Sequence, residues 1–271
     1  MTSISLDHTS ILGSTLRQVA QEKAGIIKPG SVVVSAPQAS EAEEVIRQTC
    51  RERDARLLML GEDVCWQRLK ADLEGQTLQV RTPKGDHRLW IPLLGKFQCE
   101  NATLAVAAIE EARSLGVEVS SRSVAQGLRN VSWPGRLQVL RRQPLLVVDG
   151  AHNEHSAAVL RKTVQEDLTF QRCILVVGTS IDKDIAGIAW ELAPLADVVV
   201  ATQSHHPRSA PPTVVAGEFT KLGKETHLAE DVPSAMAAAL GWASPGDLVL
   251  ATGSLFVVAE ALEWAGQYGP S

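Results

Sequence analysis

Cysteine is sparse and scattered. Cys50, Cys65, Cys99 and Cys173 form no Cys-x-x-Cys pair, which argues against a disulfide frame or a zinc site and for reduced thiols in the cytosol. No apolar run approaches the length of a membrane-spanning helix. The opening Met-Thr-Ser-Ile-Ser-Leu-Asp-His8 has neither a basic start nor a long apolar core, so no signal peptide is expected. Internal repeats and low-complexity tracts are missing. Positive charge is also short: the net charge is −5, which disfavours a general nucleic-acid binder. Hydrophobic residues make up 45% and charged residues 21% of 271, the balance of a soluble globular chain with one large or two ordinary domains.

The rhythm of the second half is strand–helix–strand. Leu145–Val148, Ile174–Val177, Val198–Ala201 and Leu248–Ala251 are short apolar runs, each followed by a segment of helical character. Alternation of this kind predicts a doubly wound parallel sheet, Rossmann-like in the broad sense. The first half differs. Helical spacing from Leu12 to Lys23 places Leu16, Val19, Ala20 and Lys23 on one face. A strand at 32–35, a helix at about 40–53 and a strand at 57–60 follow. Gly75-Gln76 and Lys84-Gly85-Asp86 punctuate an expected antiparallel meander between Trp66 and Ile91. A helix over 97–115 and a shorter one over 121–128 lead to Pro134-Gly135, a break in regular structure that suits a hinge.

The candidate site centres on Asp149-Gly-Ala-His-Asn153, directly after a strand predicted to be buried on both faces. In an open parallel sheet the ligand crevice lies at the carboxyl ends of the strands, so Asp149, His152 and Asn153 stand where a ligand would bind. Against this stands a plainer possibility, a helix cap with a solvent-facing histidine, and spacing alone leaves the two about even. Gly178-Thr-Ser-Ile-Asp-Lys-Asp184 holds the same place after the next strand and is neither a Walker loop nor Gly-x-Gly-x-x-Gly. His205-His206 reads as a solvated loop before it reads as a metal pair. Lys23, on an apolar face, needs a partner or a path to water.

Taken in order, these pieces resemble the folylpolyglutamate synthase/dihydrofolate synthase branch of the Mur ligases. The resemblance rests on Ser3-Ile-Ser-Leu-Asp-His-Thr9, Glu22-Lys-Ala-Gly-Ile-Ile-Lys28 and Gln98-Cys-Glu-Asn-Ala102. It continues through Trp133-Pro-Gly-Arg136, Asp149-Gly-Ala-His-Asn153, Asp182-Lys-Asp184, His206-Pro-Arg208 and Ala251-Thr-Gly-Ser-Leu-Phe256. It implies an α/β chain with part of a Mur ligase central ATPase domain over 1–132 and a Rossmann-like Mur ligase C-terminal domain over 133–271. The implied activity joins L-glutamate to a folate, ATP first phosphorylating the acceptor carboxylate. The implied cofactors are ATP and Mg2+.

By the same resemblance His8 and a carbamylated Lys23 are metal ligands, and Asn101, Arg136, Asp149 and His152 serve the nucleotide. Lys23 and His152 are the implied catalytic pair. A cytoplasmic monomer acting on small molecules, with no nucleic acid and no membrane, is expected. Two departures stand out. Phe97 occupies the position where the family has His, and no Gly-x-x-Gly-Lys-Ser/Thr loop occurs in the 271 residues. The sequence therefore reads as the downstream part of a synthase, inactive by itself. A catalytically silent nucleotide-binding module and another Mur-type amide ligase remain open.

Overall fold

The computed structural model describes residues 1–6 and 13–267 and divides into two compact units, Met1–Ser132 and Trp133–Ser271. Among the described residues no helix is long and apolar enough to cross a membrane.

In the first unit, helix α1 (Leu16–Ala24) begins later than its spacing suggests. Thr15 caps it in a reciprocal capping box with Gln18. Strands β1 (Val32–Ser35) and β2 (Arg56–Met59) pair in parallel around helix α2 (Ser40–Glu52). Val19, Ala20, Ala24, Ile27, Val45 and Ile46 pack on one side of this pair, against Val33. Strands β3 (Cys65–Asp72), β4 (Gly75–Thr82) and β5 (Gly85–Ile91) form the expected meander.

The inward face of that meander, Leu78, Val80, Leu89 and Ile91, closes on Cys99, Ala102 and Val106 of helix α3 (Lys96–Ser114). Near the end of α3 two buried glutamates bind its surroundings. Glu110 meets His87 Nε2 at 2.7 Å, and Glu111 pairs with Lys84 at 2.9 Å and with Arg56. Helix α4 (Ser121–Arg129), capped by Ser120, completes the unit.

The second unit is a six-stranded sheet in the order β10-β9-β8-β11-β7-β6. Its strands are β6 (Gln138–Arg142), β7 (Leu145–Val148), β8 (Cys173–Val177), β9 (Val198–Ala201), β10 (Glu225–Leu228) and β11 (Leu248–Thr252). All neighbours run parallel except β6, which is antiparallel to β7. Two of these strands were not expected from the sequence: β6 adds an antiparallel edge, and β10 adds a parallel strand at the other. Helices α5 (Glu154–Asp167), α6 (Ile185–Leu192), α7 (Pro212–Lys221), α8 (Val232–Trp242) and α9 (Leu255–Gln267) connect the strands.

Because strand side chains alternate, one set of residues faces α8 and α9: Leu146, Val148, Ile174, Val176, Val200, Val249 and Ala251. The complementary set, Val147, Leu175, Val177, Val199 and Leu250, is equally buried on the other face. A strand covered on both faces reads as an unbroken apolar run, and this is why the runs were visible in the sequence.

Candidate functional site

Strands β7, β8, β9 and β11 end at one edge of the sheet, and their ends are tied together. Asp149 N donates to Ala251 O (3.0 Å), Gly253 N to Ala151 O (3.0 Å), Gly178 N to Thr252 O (3.3 Å) and Thr202 N to Val177 O (2.9 Å). The approach is close enough to exclude side chains. A Cβ on Gly178 would lie 2.5 Å from the Thr202 carbonyl oxygen, and one on Gly253, at φ +100°, 2.6 Å from the Gly178 oxygen. On this floor the hydroxyls of Thr179 and Thr202 are buried with no hydrogen-bond partner among the described residues.

Asp149 is 6% exposed. One carboxylate oxygen accepts from Leu137 N and the other from Ala151 N, each at 2.8 Å. Burial pushes its pKa up; the two backbone donors, Arg136 and His152 oppose the shift. Next to it Gly150 N donates to Gly135 O at 2.9 Å. A Cβ on Gly150 would stand 3.6 Å from Arg136 Nη1, so the guanidinium lies along the Gly150 backbone. The other side of Arg136 faces the Trp133 ring, 5.7 Å from its centroid. Gln138 braces the bend by accepting from Gly135 N at 2.9 Å.

His152 Nδ1 lies 2.8 Å from the Gly150 carbonyl. A carbonyl only accepts, so Nδ1 carries the proton and Nε2 is the ring's acceptor or, once protonated, a second donor. Asn153 caps α5 in a capping box with Ser156. The cap and the site are thus the same turn: the plainer reading of this motif is correct for Asn153 and compatible with a ligand at Arg136 and His152.

The other expected site residues are placed as follows. His8 lies outside the described residues. Lys23 has the path to water that its position requires. It is solvent-exposed, and among the described residues its side chain has no partner. The buried stripe of α1 is Val19, Ala20 and Ala24, and Lys23, in the last turn, carries its amine past the stripe's margin into water.

Among the described residues no group of three or more His, Cys, Asp or Glu side chains could hold a metal, so they do not by themselves fit a magnesium site. Asn101 is half-buried on α3 and donates to Gln98 Oε1 at 3.1 Å. The adjacent histidines diverge. His205 binds Glu260 through both its backbone N–H and its ring, whereas the His206 ring stacks on Phe256 at 3.8 Å. Asp184 caps α6. Sequence reasoning missed the left-handed backbone of Leu137 (φ +41°) and the buried hydroxyl of Thr202, since neither leaves a sequence signal.

Residues 135–255 match the family model described as "Mur ligase, glutamate ligase domain". A probable bifunctional folylpolyglutamate synthase/dihydropteroate synthase of Halobacterium salinarum is 33% identical over 96% of this chain and 32% of its own length. The folylpolyglutamate synthase of Lacticaseibacillus casei is 30% identical over 95% of this chain and 59% of its own. Among solved structures, Mycobacterium tuberculosis folylpolyglutamate synthase complexed with ADP superposes with a TM-score of 0.88 at 28% identity, covering 97% of this chain and 62% of that one. The chain thus spans from about a third to about 60% of the length of these relatives. It carries a Mur ligase glutamate ligase domain and is homologous over most of its length to the folylpolyglutamate/dihydrofolate synthases.

Proposed function

We propose that this chain takes part in ATP-dependent addition of L-glutamate to folates. ATP phosphorylates the acceptor carboxylate, the glutamate amine attacks the acyl phosphate, and phosphate leaves. The observation that carries this reading is Arg136 held along Gly150, beside His152, at the carboxyl edge of the parallel sheet. Arg136 supplies a delocalised cation for phosphate oxygens, and His152 supplies a ring nitrogen that binds or moves a proton. Asp149, at the same turn, is assigned to the nucleotide with them, and Asn101 in the first unit to the adenine.

ATP and a divalent cation are the proposed cofactors. No step is assigned to the metal, because the described residues do not form its site. The scattered free thiols and the net charge of −5 support a cytoplasmic protein, taken to be monomeric, whose partners are small molecules.

The test is ATP-dependent incorporation of labelled glutamate into a reduced folate by the protein in its native gene context. Arg136→Ala and His152→Ala should each lower turnover by about tenfold or more, the loss expected of an interaction made to the transferring group. Unchanged turnover in both refutes the assignment. The 271 residues alone hold no phosphate loop, so they are expected to show no measurable turnover. Should the native protein bind ADP and yet incorporate no glutamate, the silent nucleotide-binding module is the correct reading.

A further inference from the structure

We propose that Gln76 is a positioning residue for Asn101: a buried glutamine of the meander that fixes where helix α3 starts, and so how Asn101 meets the base of the nucleotide. This rests on the reading that Asn101 serves the adenine.

Gln76 is 1% exposed. On β4 it shares a face with Leu78 and Val80, the apolar face that closes on α3. An amide buried there costs free energy unless its polar atoms are bonded. Its Nε2 donates to Leu93 O at 2.7 Å and to Gly95 O at 2.9 Å, and its Oε1 accepts from Arg68 Nη1 at 3.1 Å. Carbonyls only accept and a guanidinium only donates, so all three bonds fix the amide in one orientation.

The start of α3 has no side chain of its own to hold it. Its N-cap is Gly95, at φ +91°, and no side-chain cap is made there. Gly95 O accepts from Gln98 N at 3.0 Å as well as from Gln76, which uses both of its lone pairs. The Gln98 side chain in turn accepts from Asn101 Nδ2 at 3.1 Å. The line from the sheet to Asn101 is thus Gln76, Gly95, Gln98, Asn101. After the bond to Gln98, Asn101 keeps an N–H and its carbonyl oxygen, the donor and acceptor that match N7 and the N6 amine of adenine. A two-point contact of this kind tolerates little displacement of the helix start.

The substitutions follow from the geometry. Gln76→Glu keeps the shape and turns the donor of two bonds into an acceptor facing two carbonyl oxygens. Gln76→Met keeps the length and offers neither bond. A positioning role makes both variants lose discrimination between bases. A role in packing alone lowers the amount of folded protein and leaves that discrimination unmoved.

Two measurements test this. The first needs no variant to fold: in the 271-residue chain the Nε2 protons of Gln76, followed by nuclear magnetic resonance, should exchange slowly with solvent, and fast exchange overturns the proposal. The second is glutamate incorporation by the protein in its native gene context, driven by ATP or by ITP, whose base carries an oxygen in place of the N6 amine. Gln76→Glu and Gln76→Met should each lower kcat/KM by about tenfold with ATP and by less than about twofold with ITP. In an Asn101→Ala background the loss with ATP should also fall below about twofold, since residues that act through one another are not additive. Equal losses with ATP and ITP, or an undiminished loss in the Asn101→Ala background, overturn the proposal. Should Asn101→Ala alone leave the ratio of ATP to ITP turnover unchanged, the adenine assignment itself fails, and that result is read without any change at Gln76.

Discussion

Gly178→Ala and Gly217→Ala make the same chemical change and are expected to act in opposite directions. At Gly178 an added Cβ lies 2.5 Å from Thr202 O, 3.1 Å from Thr202 C and 3.1 Å from Val257 Cγ2. Two of these atoms are backbone of the neighbouring strand end, so no rotamer change relieves them. Ordinary contact needs about 3.5 Å or more, so β8 and β9 must part there by about 1 Å. They are not free to do so: Thr202 N is bonded to Val177 O, and on the other flank the Gly253 backbone sits hard against Gly178 O. Overpacking of this kind costs about 1–3 kcal/mol.

At Gly217, inside α7, nothing lies within 4 Å of the added Cβ. There alanine gains about 0.5–1 kcal/mol of helix propensity. For a unit of this size about 3 °C accompanies each kcal/mol. Gly178→Ala should therefore lower the unfolding midpoint by about 3–9 °C and Gly217→Ala raise it by about 1–3 °C. Thermal unfolding followed by circular dichroism and tryptophan fluorescence reads both. A Gly178→Ala protein as stable as the unsubstituted chain would show that the strand ends are not packed as described.

Three further outcomes are expected. Asp149 has a folded pKa raised above the ordinary aspartate value of 3.8, so folding favours its neutral form. Its contribution is present in full below that value and is lost as pH rises through the raised one; urea unfolding of the chain and of Asp149→Asn between pH 4 and 8 should show their stability difference moving against the unsubstituted chain with rising pH, and a flat difference refutes it. Burial, with a smaller effect from Asp197, pushes the Cys173 thiol up to about 12, and burial raises Cys50 as well, so a thiol reagent at pH 8 should label exposed Cys65 at once and Cys173 only on unfolding, as peptide mass mapping would show. Lys23→Ala should leave the stability of the 271 residues within about 0.5 kcal/mol, as for other exposed positions, while abolishing glutamate incorporation by the protein in its native gene context if Lys23 serves the metal; a large loss of stability would mean that its stem packs.

The sequence was most legible where burial is two-sided. β7, β8 and β9 are apolar at every position and β11 at all but Thr252, the pattern of strands covered by helices on both faces. Glu225-Thr-His-Leu228 was illegible for the opposite reason: an edge strand with largely exposed side chains carries no apolar signal, and its identity comes from pairing with β9. For Lys23 the spacing left a partner and a path to water equally open, because helical spacing gives a direction from the axis and says nothing of how far a long side chain reaches; the exposed side chain takes the second. Asp149 and His152 were placed correctly at the strand end. The partners of Asp149 were not legible, because both are backbone amides and any residue type supplies one.

The position of β11 between β7 and β8 bears on how the second unit is made. A ribosome delivers β7 and β8 early, yet these two never pair: the strand that joins them comes some seventy residues after β8. Until residues 248–252 emerge, the nascent unit holds two unfinished half-sheets, each with an open apolar edge facing the place where β11 will insert. Sequential zippering of strands in the order of synthesis is therefore ruled out, and the centre of the sheet closes last. Chaperone capture during synthesis, or aggregation of chains cut short before residue 248, is the behaviour this strand order prescribes.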